Sequence, residues 1–466
     1  MSIGTAGSGS CHNRGFWSGL LRSYVFLVIL AVLVPLALVQ PFSGLLSYTW
    51  ISYFNPHEYT YGFTRHLPVA LMVAIPTLLG LLFTTERKLP TFTRETFLLL
   101  SLWIWFLLTT ANVSQSAELT HHWVDTEQKL GLVSKTFLML FASLMLVTNA
   151  KRLRHWYLVT AGIFAIFATK SFVFGILTAG QYKVYGPPNS MLADNNDFGL
   201  AMNIALPMFL CLARTESSRP WRWVFRAAIP MGIVTVVLTF SRGAMLGLLI
   251  LLMVWAMKSR YKVLGAAGLS LVVLILFLAA PQAWIQRMET LRTAPQTDAS
   301  ARSRLRAWEF AARFSRDHPL LGGGFETFTQ PLYARYAIEE THGPHSIYFQ
   351  MLAEHGIPGL LLFLALIASC YLSCRTIVRD LGDKDSPGHL GEYARMVQLS
   401  LVTFLVSGAF LGRAYFDLFY QLVATVIILK YLASQERDTQ ELELTESIDD
   451  VEFDHQLVQL LPHTTR

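Results

Sequence analysis

The chain has 466 residues, 53% hydrophobic and 15% charged, with a net charge of +6. Soluble domains carry about 25% charged residues, so this deficit, with the long apolar runs, excludes an ordinary soluble enzyme and points to a polytopic membrane protein. The positive balance does not imply nucleic acid, because the cations sit in short loops between apolar runs, where they act as a topology signal.

From the N-terminus, "MSIGTAGSGSCHNRGFWSGLLRSY" places Arg14 and Arg22 before a first apolar run at 24–39. No small-residue cleavage site follows Val39, so the run reads as a retained span with a cytoplasmic N-terminus. The next segment, "PFSGLLSYTWISYFNP" (41–56), is aromatic and bounded by prolines. It reads as re-entrant or interfacial and is not counted as a span. Further apolar runs fall at 67–83, 95–113, 131–149, 157–179, 197–213, 227–240, 243–257, 263–281, 346–372, 397–411 and 415–431, giving twelve spans in all.

With the N-terminus inside, the Lys/Arg-rich loops at 84–94, 149–156, 214–226, 258–262 and 375–395 all fall inside, as the positive-inside rule expects. Both termini are then cytoplasmic. The outside receives the loop with His121 and His122, the 180–196 loop, the turn Ser241-Arg242-Gly243 and the long segment 282–345. The chain thus divides into an N-terminal transmembrane region (1–189), a core (190–375) that includes the loop 282–345, C-terminal helices (376–434) and an acidic, loosely helical or disordered tail (435–466).

The long loop contains "ASARSRLRAWEFAARFSRDHP", an amphipathic helix with Leu305, Trp308, Phe310, Ala312 and Phe314 among its arginines. It also contains "PLLGGGFETF", a tight turn without the strand and Lys-Ser/Thr context of a phosphate loop.

Three features converge on the outer face. Arg242, between two apolar spans, is costly unless it faces a cavity, water or an anion, although it can also snorkel to the interface. Arg302, Arg304 and Arg306 offer guanidinium groups suited to phosphate, or else form a solvated basic face. His345 either accepts a proton near neutral pH or caps the helix that follows. Lys170 lies inside a span, where it either contacts substrate or snorkels. Asn195 and Asn196, in "ADNNDFGLAM", either bind sugar hydroxyls or cap a helix. The "DKD" at 383–385 lies in a cytoplasmic loop, away from this face. "HGPH" (342–345) lacks a third ligand for a metal. The four cysteines (Cys11, Cys211, Cys370 and Cys374) form no disulfide framework.

These residues resemble the O-antigen ligase and O-antigen polymerase superfamily. "RGAML" (242–246) is similar to its Arg-x3-Leu at an outer span boundary. His345-Ser346, nine residues, then "GIPG" (356–359) is similar to its His-[Asn/Ser/Gln]-x9-Gly-x2-Gly pattern. "RLRAW" (304–308) and "HPLLGGGF" (318–325) resemble the segment between them. "ISYFNPHEYTYGF" (51–63), "KVYGPPNSMLADNNDFGLAMNIALP" (183–207) and Lys170 resemble the O-glycosylation ligases associated with exosortase systems.

The resemblance implies an all-α, GT-C-like enzyme of the bacterial inner membrane with its active site facing the periplasm. It implies a glycan donor linked to undecaprenyl diphosphate, transferred whole and with inversion. The acceptor is a hydroxyl of lipid A core, protein or another glycan, with the bilayer as the surrounding partner. It implies no metal and no other cofactor. Arg242 and Arg304, with Arg306 beside them, then hold the diphosphate, and His345 serves as base or orienter for the acceptor. Polymerisation of lipid-linked repeats is the near alternative. A flippase or other transporter is the alternative of another class, and it would place ionisable groups near mid-membrane.

Overall fold

The computed structural model describes residues 9–258, 299–338, 340–381 and 388–460. Among them there is no strand. Helices α1 (Gly9–Val39), α2 (Pro41–Phe54), α3 (Val69–Phe83), α4 (Arg94–Gln115), α5 (Trp123–Leu146) and α6 (Ala150–Leu177) form the N-terminal part. Helices α7 (Asn195–Thr215), α8 (Arg219–Leu238) and α9 (Arg242–Lys258) follow. After the long loop's α10 (Ala299–Asp317) and short α11 (Gln330–Arg335) come α12 (Ile347–Leu381), α13 (Leu390–Gly408) and α14 (Asp417–Leu460).

Eight of these helices are long and apolar enough to cross a membrane: α1, α4, α5, α6, α7, α8, α12 and α14. Two more, α3 and α9, are apolar but shorter. The expected span at 397–411 is the helix α13, which opens with Glu392 and Arg395. The span expected at 263–281, and "DKD" at 383–385, lie outside the described residues. Helix α7 has 83% of its apolar window buried and α14 has 78%, against 22–50% for the other six. These two, with the largely buried α13 packed between them, form the centre, around which the others present one face to lipid. The acidic tail continues α14 as helix to Leu460.

Local chemistry sets the helix starts. The hydroxyl of Thr93 accepts from the Thr96 amide at α4, Asn149 from the Arg152 amide at α6, and Asp194 from the Asn196 amide at α7. Each satisfies a backbone donor that has no partner within its own helix.

Polar contacts sort the loops into two ends. At one end Arg152 pairs with Glu86, Arg154 Nε with Glu216 Oε2 at 3.0 Å, and Arg214 with Glu392 at 3.3 Å. Lys430 meets the buried Glu95 at 2.7 Å. These contacts join the Lys/Arg-rich loops that the charge pattern groups together. At the other end the Val184 amide donates to the Leu238 carbonyl, Asn189 to Glu58, and His122 lies 2.9 Å from the Gly323 carbonyl.

The N-terminal helices correct one expectation. The hydroxyl of Ser23, midway along α1, donates to the Tyr61 carbonyl at 2.9 Å, at the His122 end. The close of α1 lies at the Lys/Arg-rich end, where Leu38 and Pro41 pack against Gly80 of α3 so tightly that a Cβ there would overlap the Leu38 carbonyl. Arg152 covers the Phe42 ring at this same end. Segment 41–56 is therefore not re-entrant: α2 runs back through the bundle, with Gln40-Pro41 as the turn. At 14 residues it is only about 21 Å long, which is why its hydropathy alone does not mark a span. Ser23 of α1 and Arg437 of α14, which pairs with Asp380 near the close of α12, then lie at opposite ends of the bundle.

Candidate functional site

The site gathers at the end that carries Ser23, His122 and Gly323. Its floor is a break in α12. At Gly356 the backbone turns to φ +67°, and Pro358 has no amide hydrogen to offer the Glu354 carbonyl. The carbonyls this frees do not go unpaired. The Gly323 amide donates to the Ala353 carbonyl at 2.9 Å, and the Gly324 amide to the Glu354 carbonyl at 2.7 Å. The Ile357 amide donates to the Pro319 carbonyl at 2.8 Å, and Trp105 Nε1 donates to the His355 carbonyl at 2.9 Å. The "PLLGGG" turn and the "GIPG" break thus exchange backbone hydrogen bonds. This anchors the long loop to the bundle.

Helix α10 lies over this floor. Its buried face is Ala307, Phe310, Ala311 and Phe314, spaced by three and four residues. Phe310 stacks on Tyr333 with ring centroids 4.1 Å apart. The register differs from the one expected: Leu305 is exposed, and Trp308 is half-buried against Phe349. The smaller Ala307 and Ala311 allow the close approach that Leu305 would prevent.

His345 immediately precedes α12. Its backbone sits in the left-handed region at φ +47°. The side chain is half-buried, and among the described residues its imidazole makes no hydrogen bond. It is thus not spent on capping α12. Its pKa is pushed down to about 4, first by burial, then by the charges of Arg304 and His342, with Asp194 opposing. A neutral imidazole results at pH 7, with lone-pair capacity for an incoming hydroxyl.

Arg304 approaches from α10, its Nη1 donating to Ser300 Oγ at 2.9 Å. Arg306 on the same helix is paired with Glu340 at 2.8 Å. Arg302 is exposed. Arg242 opens α9 after a tight turn in which Phe240 takes φ +54°. The neighbouring Gly243 packs on Phe410, whose ring lies 6.3 Å from Trp308, and Gly412 packs against Pro344 and the His345 backbone. The 409–416 connection therefore bridges Arg242, α10 and His345.

The other sequence candidates take different places. Asn195 is buried and donates to the Thr239 carbonyl at 2.7 Å, fastening α7 to the turn that carries Arg242. Asn196 donates to Asp194, the cap of α7. Lys170 is exposed on α6, with its ammonium 5.6 Å above the Tyr59 ring, away from the neighbours of His345.

Two groups escaped sequence reading. Arg413 grips Asp197 with two hydrogen bonds, the Nε to Oδ1 one at 2.7 Å. Asp197 is buried while Arg413 keeps a third of its side chain accessible. An arginine between two apolar runs, the same signal that marks Arg242, would have found it. Beneath lies a buried chain: Thr109 to His355 Nδ1 at 2.8 Å, His355 Nε2 to the Tyr415 hydroxyl at 2.7 Å, and Tyr415 donating to Glu354. Gln350 reaches from Glu354 to the Ala414 amide, which donates to its Oε1 at 3.1 Å. Fully satisfied, such a network fixes one geometry, here that of the 409–416 connection.

Residues 227–364 match the family model described as O-antigen ligase. This interval holds Arg242, Arg304, His345 and the Gly356 break. Residues 21–215 match a model described only as a family of unknown function. No curated protein matches the chain.

Proposed function

We propose that this membrane protein, which carries an O-antigen ligase domain, is a glycosyltransferase. It moves a glycan en bloc from undecaprenyl diphosphate to a hydroxyl on lipid A core, protein or another glycan. The observation that carries this reading is the meeting of an unspent neutral imidazole, His345, with Arg304 at the end where Arg242 opens α9. The bond from the anomeric carbon to the diphosphate oxygen breaks as the acceptor oxygen attacks from the opposite face. His345 takes the acceptor proton. The diphosphate leaves with charge neutralised by Arg304 and Arg242, preorganised cations that need no rearrangement during the step. The fold would be GT-C-like, with the site on the periplasmic side of the inner membrane. The exosortase-associated type of ligase is the subtype we favour.

In a host lacking its own copy, Arg242→Ala and Arg304→Ala are expected to abolish the surface glycan and leave the lipid-linked precursor in the outer leaflet. Precursor held in the inner leaflet would instead favour a carrier. One observation speaks for that second reading: Asp417 and Gln421 of α14 line a cavity with Tyr48 and Tyr53 of α2 and Thr136 of α5, inside the bundle.

The pH profile offers a separate check. Because His345 is held neutral, transfer should persist down to about pH 5 and fall as pH approaches about 4. Arg304→Gln removes a cation that lowers this pKa, so the acid limb of the remaining activity moves to higher pH. The linked stability has the matching sign. It is present above the ordinary histidine value of 6.5 and is lost as pH falls toward about 4.

A further inference from the structure

At the end opposite His345, a cavity of about 550 Å³ opens between the ends of α4, α12 and α14. Among the described residues its polar wall consists of Arg94, Lys430, Arg437, Ser373, Thr376 and Ser434, with no carboxylate. Two acids beside it are held by its cations. Glu95, with its side chain fully buried, receives Lys430 at 2.7 Å and the hydroxyl of Ser373 at 2.7 Å. Asp380 pairs with Arg437 at 2.6 Å and Arg379 at 3.1 Å. Arg94 lies 3.5 Å from Glu95 as well. Arg94 and Arg437 remain more than half exposed, at 56% and 52%. The apolar remainder of the wall includes Leu372, itself 49% exposed.

We infer that this cavity binds a phosphate group. The guanidinium groups of Arg94 and Arg437, both more than half exposed beside one space, are the donors a phosphate needs. The hydroxyls of Ser373, Thr376 and Ser434 already donate to Glu95 and to the Leu372 and Tyr431 carbonyls. The apolar edge at Leu372 would accommodate the glycerol and first acyl carbons of a phospholipid whose headgroup enters the cavity. A free phosphate would use the same donors and leave that edge uncovered. The site lies at the Lys/Arg-rich end, which is the leaflet surface where juxtamembrane cations attract anionic lipid. It shares no residue with the proposed transfer site.

The test uses the full-length protein in detergent, with thermal melting and native mass spectrometry. The additions are phosphatidylglycerol, phosphatidylcholine or inorganic phosphate. Phosphatidylglycerol should raise the melting temperature and remain bound, and phosphatidylcholine should do neither. The Arg94→Gln/Arg437→Gln double variant should bind phosphatidylglycerol about ten- to a hundredfold more weakly. Ser434→Trp, which crowds the cavity and keeps every cation, should also weaken that binding. A stabilisation by inorganic phosphate as large as that by phosphatidylglycerol, lost in both variants, assigns the site to the free anion. Equal stabilisation by both lipids, or phosphatidylglycerol binding retained in both variants, overturns the proposal. His345→Ala should bind the lipid as the natural chain does, so this result stands apart from the transfer reaction.

Discussion

Replacing His345 with alanine is expected to lower turnover by about 10²–10⁴-fold, the usual contribution of a positioned general base, with little change in donor affinity. The variant should melt where the natural chain melts. Alanine inherits the same left-handed backbone at φ +47° and pays a similar steric cost. No hydrogen bond to a described residue is lost with the ring. A residue that merely began α12 would behave in the opposite way, costing stability and sparing turnover. His345→Gln separates the two roles open to the side chain. Glutamine can orient a hydroxyl but cannot accept its proton at pH 7, so substantial retained turnover would make His345 an orienter. The measurement is single-turnover transfer from a lipid-linked donor by purified protein, set beside the melting curve.

The charge pattern and the spacing of apolar runs were enough to place Arg242, Arg304 and His345 at one end, because both signals depend on composition alone. The path of the N-terminal helices was not legible in the same way. Counting loop charges constrains the loops after 67, but a short α2 shifts only what precedes it. The deciding contacts, Gly80 against Leu38 and Ser23 with Tyr61, are tertiary. Arg413 and Asp197 were also hidden as a pair, since 216 residues separate them and each has a bland local reading. The face of α10 was misread because alternation of size, with Ala307 and Ala311 beneath Phe310 and Phe314, outweighed raw hydrophobicity. Asn195 was legible as a polar residue at a helix start, but its task of fixing the turn before Arg242 depends on a carbonyl 44 residues away.

Gly356→Ala is expected to destabilise the protein by about 3–5 kcal/mol, as a sum of backbone strain and lost hydrogen bonds. A Cβ at Gly356 would overlap the Leu320 carbonyl and would have to sit at φ +67°. The chain has two ways to relieve this. It can push the 319–324 turn away, losing the hydrogen bonds from Gly323, Gly324 and Ile357. It can instead straighten α12 into continuous helix, but Pro358 then leaves the Glu354 carbonyl unpaired inside the bundle. Either route moves α10, because its buried Phe310, Ala311 and Phe314 rest in the same small core as Ala353. Arg304 would shift with it relative to His345, so transfer should fall along with melting temperature even though no site residue is altered. Gly343→Ala is the control. No atom lies within 4 Å of a Cβ at Gly343, so this change two residues from His345 should alter melting little. If Gly356→Ala melts like the natural chain, the exchanged hydrogen bonds do not hold the long loop, and the spacing of eleven positions from His345 to Gly356 needs another cause.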